Sequence, residues 1–196
     1  VRRSALTDDG ASLISGGRDQ RVLVWDISSR TLRHDLDLRT YGPPCDFSVS
    51  TAGTRLAIRT EPGAVLVIDL QRPDPLASAW ILEHEMDRKG TATSRPDSGG
   101  TSIALRPDGR RVAWSDQRGN VWVAEIGEQT KALQSVRQLS LGGKPSDSIV
   151  GGLCFDGSGR YLALTSVQFV TVFDLEQETL QQITRRSAQN GNSRPY

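Results

Sequence analysis

Cysteine, lysine and histidine are scarce in this sequence. Its two cysteines, Cys45 and Cys154, fall in different segments at unlike strand positions. That argues against a disulfide framework and points to a reducing, cytoplasmic compartment. The only lysines are Lys89, Lys131 and Lys144, so arginine supplies nearly all the positive charge. With His34 and His84 as the only histidines, no metal-ligand cluster and no metal cofactor is expected. No apolar run approaches the roughly 20 residues that a membrane helix needs. Neither sign of charge dominates: 24 basic residues against 23 acidic leave a net +1. No global field therefore draws the chain to nucleic acid or to a membrane surface. What is present is a 196-residue chain, 36% hydrophobic and 24% charged. Such a chain can bury a core as one large or two small domains.

The stretch GGRDQRVLVWD (residues 16–26) organises the rest. It predicts a strand entered through a polar turn and closed by an aromatic–acid pair. Val22 and Val24 point to one face, Leu23 and Trp25 to the other, because strand side chains alternate. Apolar residues on both faces predict that both are covered by neighbours. The pattern returns three times. Polar turns ending in glycine occur as TDDG to Gly10, STAG to Gly53, RPDG to Gly109 and DGSG to Gly159. Before each stands a small residue and an apolar one: Ala5-Leu6, Ser48-Val49, Ala104-Leu105 and Cys154-Phe155. After each comes an apolar strand, then a second strand ending in an acid: VLVWD, VLVID, VWVAE and VTVFD, reaching Asp26, Asp69, Glu125 and Asp174. The glycine-to-acid spacing is 16 residues in the first three copies and 15 in the fourth. A fourth, more polar strand is expected after each acid, over 31–38, 77–82, 133–141 and 179–184. The longer units carry inserted loops, residues 83–100 and 142–148. The tail, 185–196, has no apolar periodicity and is expected to be disordered.

Four-stranded units of this length closing on W-D resemble the blades of WD-repeat β-propellers. Trp25-Asp26 matches the signature pair, Ile68-Asp69 and Phe173-Asp174 match it in class, and Ala124-Glu125 is degenerate. Gly16-Gly17-Arg18-Asp19 looks like the family's turn between second and third strands. The Gly-His dipeptide of the family is missing, so its buried hydrogen-bonded set cannot be complete, which suggests a divergent, bacterial-type member. RPDGRRVAWSD (106–116) also resembles the propeller repeats of the periplasmic Tol system and of oligopeptidases. The resemblance implies an all-β fold of four four-stranded antiparallel blades, over 1–40, 41–99, 100–148 and 149–184. Because the pattern opens in mid-stride at Val1, the expectation is a run of blades from a larger, about seven-bladed ring. An open arc of that kind should pair with a second copy or with missing blades.

No residue pattern supports catalysis or a cofactor. The acids ending the second strands lie one per unit and fit turn-forming roles. Trp25 is expected to pack between blades with its N–H satisfied. HEMDR (84–88) has the outline of a zinc helix motif, but Arg88 stands where the second histidine is needed. GGKP (142–145) lacks the glycine spacing and hydroxyl of a phosphate loop, and Pro145 removes a donor. DGSG is one of four equivalent turns, not a nucleophile elbow. The expected activity is therefore recognition by surface loops on one rim, gathering Arg18, Asp19, Arg59, Glu61, Asp116, Gln117 and Arg118. The insert at 83–100, with Asp87, Arg88, Lys89 and Arg95, joins them. The reading is a non-enzymatic scaffold for protein partners, part of a bacterial signalling protein. The alternatives are the gating propeller of a hydrolase such as an oligopeptidase, or a periplasmic Tol-like propeller.

Overall fold

Each apolar segment named above forms a strand because its side chains alternate between two covered faces. The structure, a computed structural model, describes residues 3–61, 63–83, 102–116, 119–127, 132–140, 150–166 and 169–184. Among the described residues there are sixteen strands and no helix. The first sheet holds β1 (Arg3–Leu6), β2 (Ser12–Gly16), β3 (Arg21–Asp26) and β4 (Thr31–Asp37), in that order. The second holds β5 (Pro44–Val49), β6 (Arg55–Thr60), β7 (Ala64–Asp69) and β8 (Trp80–Glu83). The third holds β9 (Ile103–Leu105), β10 (Arg111–Ser115), β11 (Val121–Ile126) and β12 (Leu133–Leu139). The fourth holds β13 (Gly152–Phe155), β14 (Tyr161–Thr165), β15 (Phe169–Asp174) and β16 (Thr179–Thr184). Every pairing is antiparallel.

The turn glycines that define the repeat share one backbone state. Gly10, Gly53, Gly109 and Gly159 have φ of 68, 64, 71 and 70°. That left-handed region favours glycine because it has no Cβ. In each turn the glycine N–H donates to the carbonyl three residues back, at 2.8 Å for Thr7, Ser50 and Arg106 and 3.0 Å for Asp156.

Each sheet has a forward face, toward the next sheet in the chain, and a rear face. Forward residues are Ile14, Val22 and Val24 in the first sheet, Ala57, Val65 and Val67 in the second, and Ala113, Val121 and Val123 in the third. The first set packs on Leu56, Ile58, Leu66 and Ile68 of the second sheet. The second set packs on Val112, Trp114 and Ala124 of the third. The third set packs on Leu162, Leu164 and Phe173 of the fourth. Three apolar interfaces, not one central core, therefore hold the molecule together, as in arrays stabilised by nearest neighbours. The sheets are successive β-propeller blades, with β1, β5, β9 and β13 as neighbouring innermost strands.

The sequence reading of the fourth strands needs one correction. In the second blade that strand starts at Trp80, and Ala77, Ser78 and Ala79 lie before it. Pro73 and Pro75 precede them, and the Asp74 carboxylate accepts from Ala77 N–H at 3.1 Å, closing a turn instead of extending a ladder. Glu83, expected to open the insert over 83–100, instead ends β8, and the rest of that insert, the insert at 142–148 and the tail at 185–196 lie outside the described residues.

Candidate protein-interaction surface

Antiparallel connection sends the loops between second and third strands, and those between blades, to one rim. The opposite rim carries the glycine turns and the loops between third and fourth strands. On the first rim, residues 17–20 join β2 to β3. Gln20 N–H donates to Gly17 at 3.3 Å, with Gln20 in the left-handed region at φ 61°. Leu38 N–H then donates to the Gln20 carbonyl at 2.8 Å, so the loop leading to the second blade braces this turn. Arg18 and Asp19 are exposed on its outside. Nearby, Arg39 holds the Asp37 carboxyl down to about 2, mainly through its side-chain hydrogen bonds.

In the second blade Glu61 is half-buried, and its N–H donates to the Pro43 carbonyl at 2.9 Å. Arg59 departs from the reading that put it on the rim surface. It sits within β6 at 1% exposure and donates to the Gly63 carbonyl. The alternation that aims Ala57 at the third blade aims Arg59 there too, so its guanidinium is enclosed and holds its own loop.

Asp116 departs in the same way, at 7% exposure. Its carboxylate accepts from Asn120 N–H at 2.9 Å, Asn120 Nδ2 at 2.7 Å and Trp122 Nε1 at 3.4 Å. A carboxylate saturated by its own loop organises that loop and presents little to a partner. Asp87, Arg88, Lys89, Arg95, Gln117 and Arg118 lie outside the described residues.

Sequence reasoning missed a polar seam at the inner end of this rim. Asp46 Oδ2 on β5 accepts from Ser102 Oγ and from Ile103 N–H, both at 3.1 Å. Ser102 Oγ in turn accepts from Leu153 N–H at 3.1 Å on β13. Arg3 on β1 lies 3.9 Å from the Asp46 carboxylate and donates to the Cys45 carbonyl at 3.2 Å. Four blades are thus stitched along their inner strands by one carboxylate, one hydroxyl and one guanidinium.

The opposite rim is also spent on blade joints. Arg55 donates to the Gly109 carbonyl at 2.8 Å and lies 5.2 Å from the centroid of the Trp80 ring. Trp80 Nε1 donates to the Gly127 carbonyl at 2.6 Å. Of the strand-ending acids, Asp26 accepts from Ser29 N–H and Ser28 Oγ, which bring its carboxyl to about 2, the backbone bond first. Asp174 is brought to about 2 chiefly by Arg160, 2.6 Å away. Asp69 accepts from Gln71 N–H at 3.0 Å, whereas Glu125 ion-pairs with Arg111. Among the described residues, no three His, Cys, Asp or Glu side chains converge as metal ligands.

Trp25 is a further correction. Its Nε1 donates to Ser15 Oγ at 3.2 Å, as expected, but within its own blade. The ring lies half-buried on the rear face of the first blade, where no described blade covers it.

No family model matches the sequence, and no curated protein matches it. Solved structures do resemble it. The β-propeller domain of Myceliophteria thermophila Cps50 (Swd1) superposes with a TM-score of 0.71 at 14% identity, over 94% of this chain and 55% of that one. The WD40 repeats of RRP9 superpose with a TM-score of 0.67 at 14% identity, over 92% of this chain and 50% of that one. The chain therefore spans about half the length of these propellers and has their fold.

Proposed function

We propose that the chain is a non-catalytic protein-interaction scaffold, the propeller portion of a larger bacterial signalling protein. The observation that carries this reading is the build of the first rim. Its described connections leave neighbouring sheets at one end and are braced by hydrogen bonds, at Gln20 and Leu38 in the first blade and at Glu61 in the second, with Arg18 and Asp19 turned outward. Loops already held in place lose little conformational freedom when a partner binds. Mixed charge and a net +1 suit protein partners better than nucleic acid or a membrane surface. The resemblance to propeller domains agrees with this reading.

Affinity capture with quantitative mass spectrometry tests it, comparing wild type, Arg18→Glu/Asp19→Lys and a deletion of 84–100. Thermal melts establish that all three are folded. Loss of a shared set of partners from either variant supports the reading, and unchanged capture by both overturns it. A nucleotide-binding or kinase domain beside this segment in a longer chain supports the signalling role. A G-x-S-x-G hydrolase domain there overturns it.

A further inference from the structure

In the first three blades the fourth strand carries one side chain across to the next blade. Val22, Val65, Val121 and Val170 occupy one register position on the third strands, and Val24, Val67, Val123 and Val172 the next. Opposite the second of these valines stand His34, Trp80 and Arg137 on the fourth strands. Each shares the valine's forward face and meets the following blade just past its third strand. Trp80 Nε1 donates to the Gly127 carbonyl at 2.6 Å. The Arg137 guanidinium donates to the Glu178 carboxylate. His34 lies against the Leu70 backbone. The position is one latch in three chemistries, and of the three only an imidazole titrates near neutral pH.

A bulge aims His34 inward. The ladder shifts between the Val24–His34 and Trp25–Leu32 pairs, which leaves Arg33 as an extra residue. Alternation alone puts Leu32 and His34 on one face; the bulge sends Leu32 to the rear and His34 forward. Two residues on, Leu36 is buried in the same apolar cluster as Leu70 and Ala79, with Leu76 packed against it. The His34 Nε2 is enclosed and has no hydrogen-bond partner among the described residues. A neutral ring can leave a lone pair there, but an imidazolium must place an N–H there and bring its charge into an apolar joint. The charged neighbours do not compensate. They are Arg33 and Asp35 on β4, Arg21 and Asp26 at the two ends of β3, and Asp69, Arg72 and Asp74 along the facing connection. Asp35 pairs with Arg21 and Asp69 with Arg72, while Asp74 accepts from Ala77 N–H. Burial first, then repulsion from Arg33, holds the ring's pKa below 6.5, and the Leu70 backbone offsets this only in part.

We propose that His34 is an acid-sensitive latch on the joint between the first and second blades. A proton on its ring frees β4 from the connection at 70–79, while the joints latched by Trp80 and Arg137 stay closed. Release reaches the first rim, because β4 runs on to Leu38, whose N–H braces the Gln20 carbonyl in the turn that carries Arg18 and Asp19. The latch stands whether or not that rim binds a partner.

Hydrogen–deuterium exchange of the 196-residue chain tests the proposal, read by mass spectrometry at about pH 7.5 and about pH 5, with labelling times scaled to the intrinsic rate at each pH. Protection over 31–38 and 70–79 should fall at least about threefold more at the lower pH than protection over 133–139 and 169–174. One proton taken up on opening, with about 6.5 as the open-state value, limits the effect at about pH 5 to about 30-fold. His34→Gln, polar but unable to titrate, should remove this extra fall, and His34→Met takes its place if His34→Gln does not fold. Three outcomes overturn the proposal. One is protection over 31–38 and 70–79 that does not change with pH. The second is an equal fall at every joint. The third is a local fall that persists when His34 is replaced.

Discussion

Trimming one valine at the same register position in each blade measures what the blade interfaces contribute. Val22, Val65 and Val121 are wholly enclosed, while Val170 is 38% exposed. Valine to alanine removes two methyl groups. At about 0.8 kcal/mol per buried carbon, plus a share for the cavity left behind, each enclosed site should lose about 2 kcal/mol. At Val170 much of that surface already meets water and its neighbours can close in, so the loss should stay under about 1 kcal/mol. For a chain of this size, about 2 kcal/mol lowers the melting temperature by about 4–8 °C. Urea unfolding followed by far-ultraviolet circular dichroism gives the comparison, at a protein concentration where sedimentation shows a monomer. Equal losses at Val65 and Val170 in the monomer would refute the claim that the fourth blade's forward face is open. A loss under about 0.5 kcal/mol at Val65 would refute the claim that these interfaces carry the stability.

Three further outcomes are expected. Gly53→Ala should destabilise by about 1 kcal/mol more than Gly10→Ala: both need φ near +65°, but only at Gly53 would the new methyl meet Thr7 Cγ2, at 3.0 Å. Equal melting temperatures for the two variants would contradict this. The Asp174 carboxyl is lowered from 3.8 to about 2, chiefly by Arg160, so its contribution is complete above pH 3.8 and is lost as the pH falls through about 2. The stability gap between wild type and Asp174→Asn should narrow across that window in urea titrations, and a constant gap would exclude the pairing. At His34, burial lowers the pKa below 6.5, Arg33 adds repulsion, and Nε2 is buried without a hydrogen-bond partner among the described residues. Folding is therefore favoured with a neutral ring, a contribution present above pH 6.5 and lost as the pH falls through the depressed value. His34→Gln should flatten the pH dependence of stability as the pH falls below 6.5, and an unchanged slope would argue against it.

Most of the fold was legible because the repeat is written in backbone requirements. A glycine forced to positive φ and a strand apolar on both faces leave few alternatives, and both recur at fixed spacing. The site was far less legible. Arg59 and Asp116 read as rim charges because charged residues near strand ends usually face water. Their burial is decided by alternation into a neighbouring blade and by the Asn120 and Trp122 donors around one carboxylate. Trp25 read as an interface residue because its strand is apolar on both sides, yet no alternation pattern tells whether a neighbouring blade is present. Asp46 and Ser102 went unnoticed for the opposite reason. Each is unremarkable alone, and they meet only when the inner strands line up.

The repeated valine pair also bears on how such chains can change in length. If a blade is excised or duplicated, the two surfaces brought together are still a valine pair and an apolar rear face. Only the polar stitches, such as Asp46 with Ser102 and Arg55 with Gly109, are particular to one pair of blades. Recombination between copies can therefore lengthen or shorten the array while keeping the apolar part of each joint, and the polar stitches are what would have to be rebuilt.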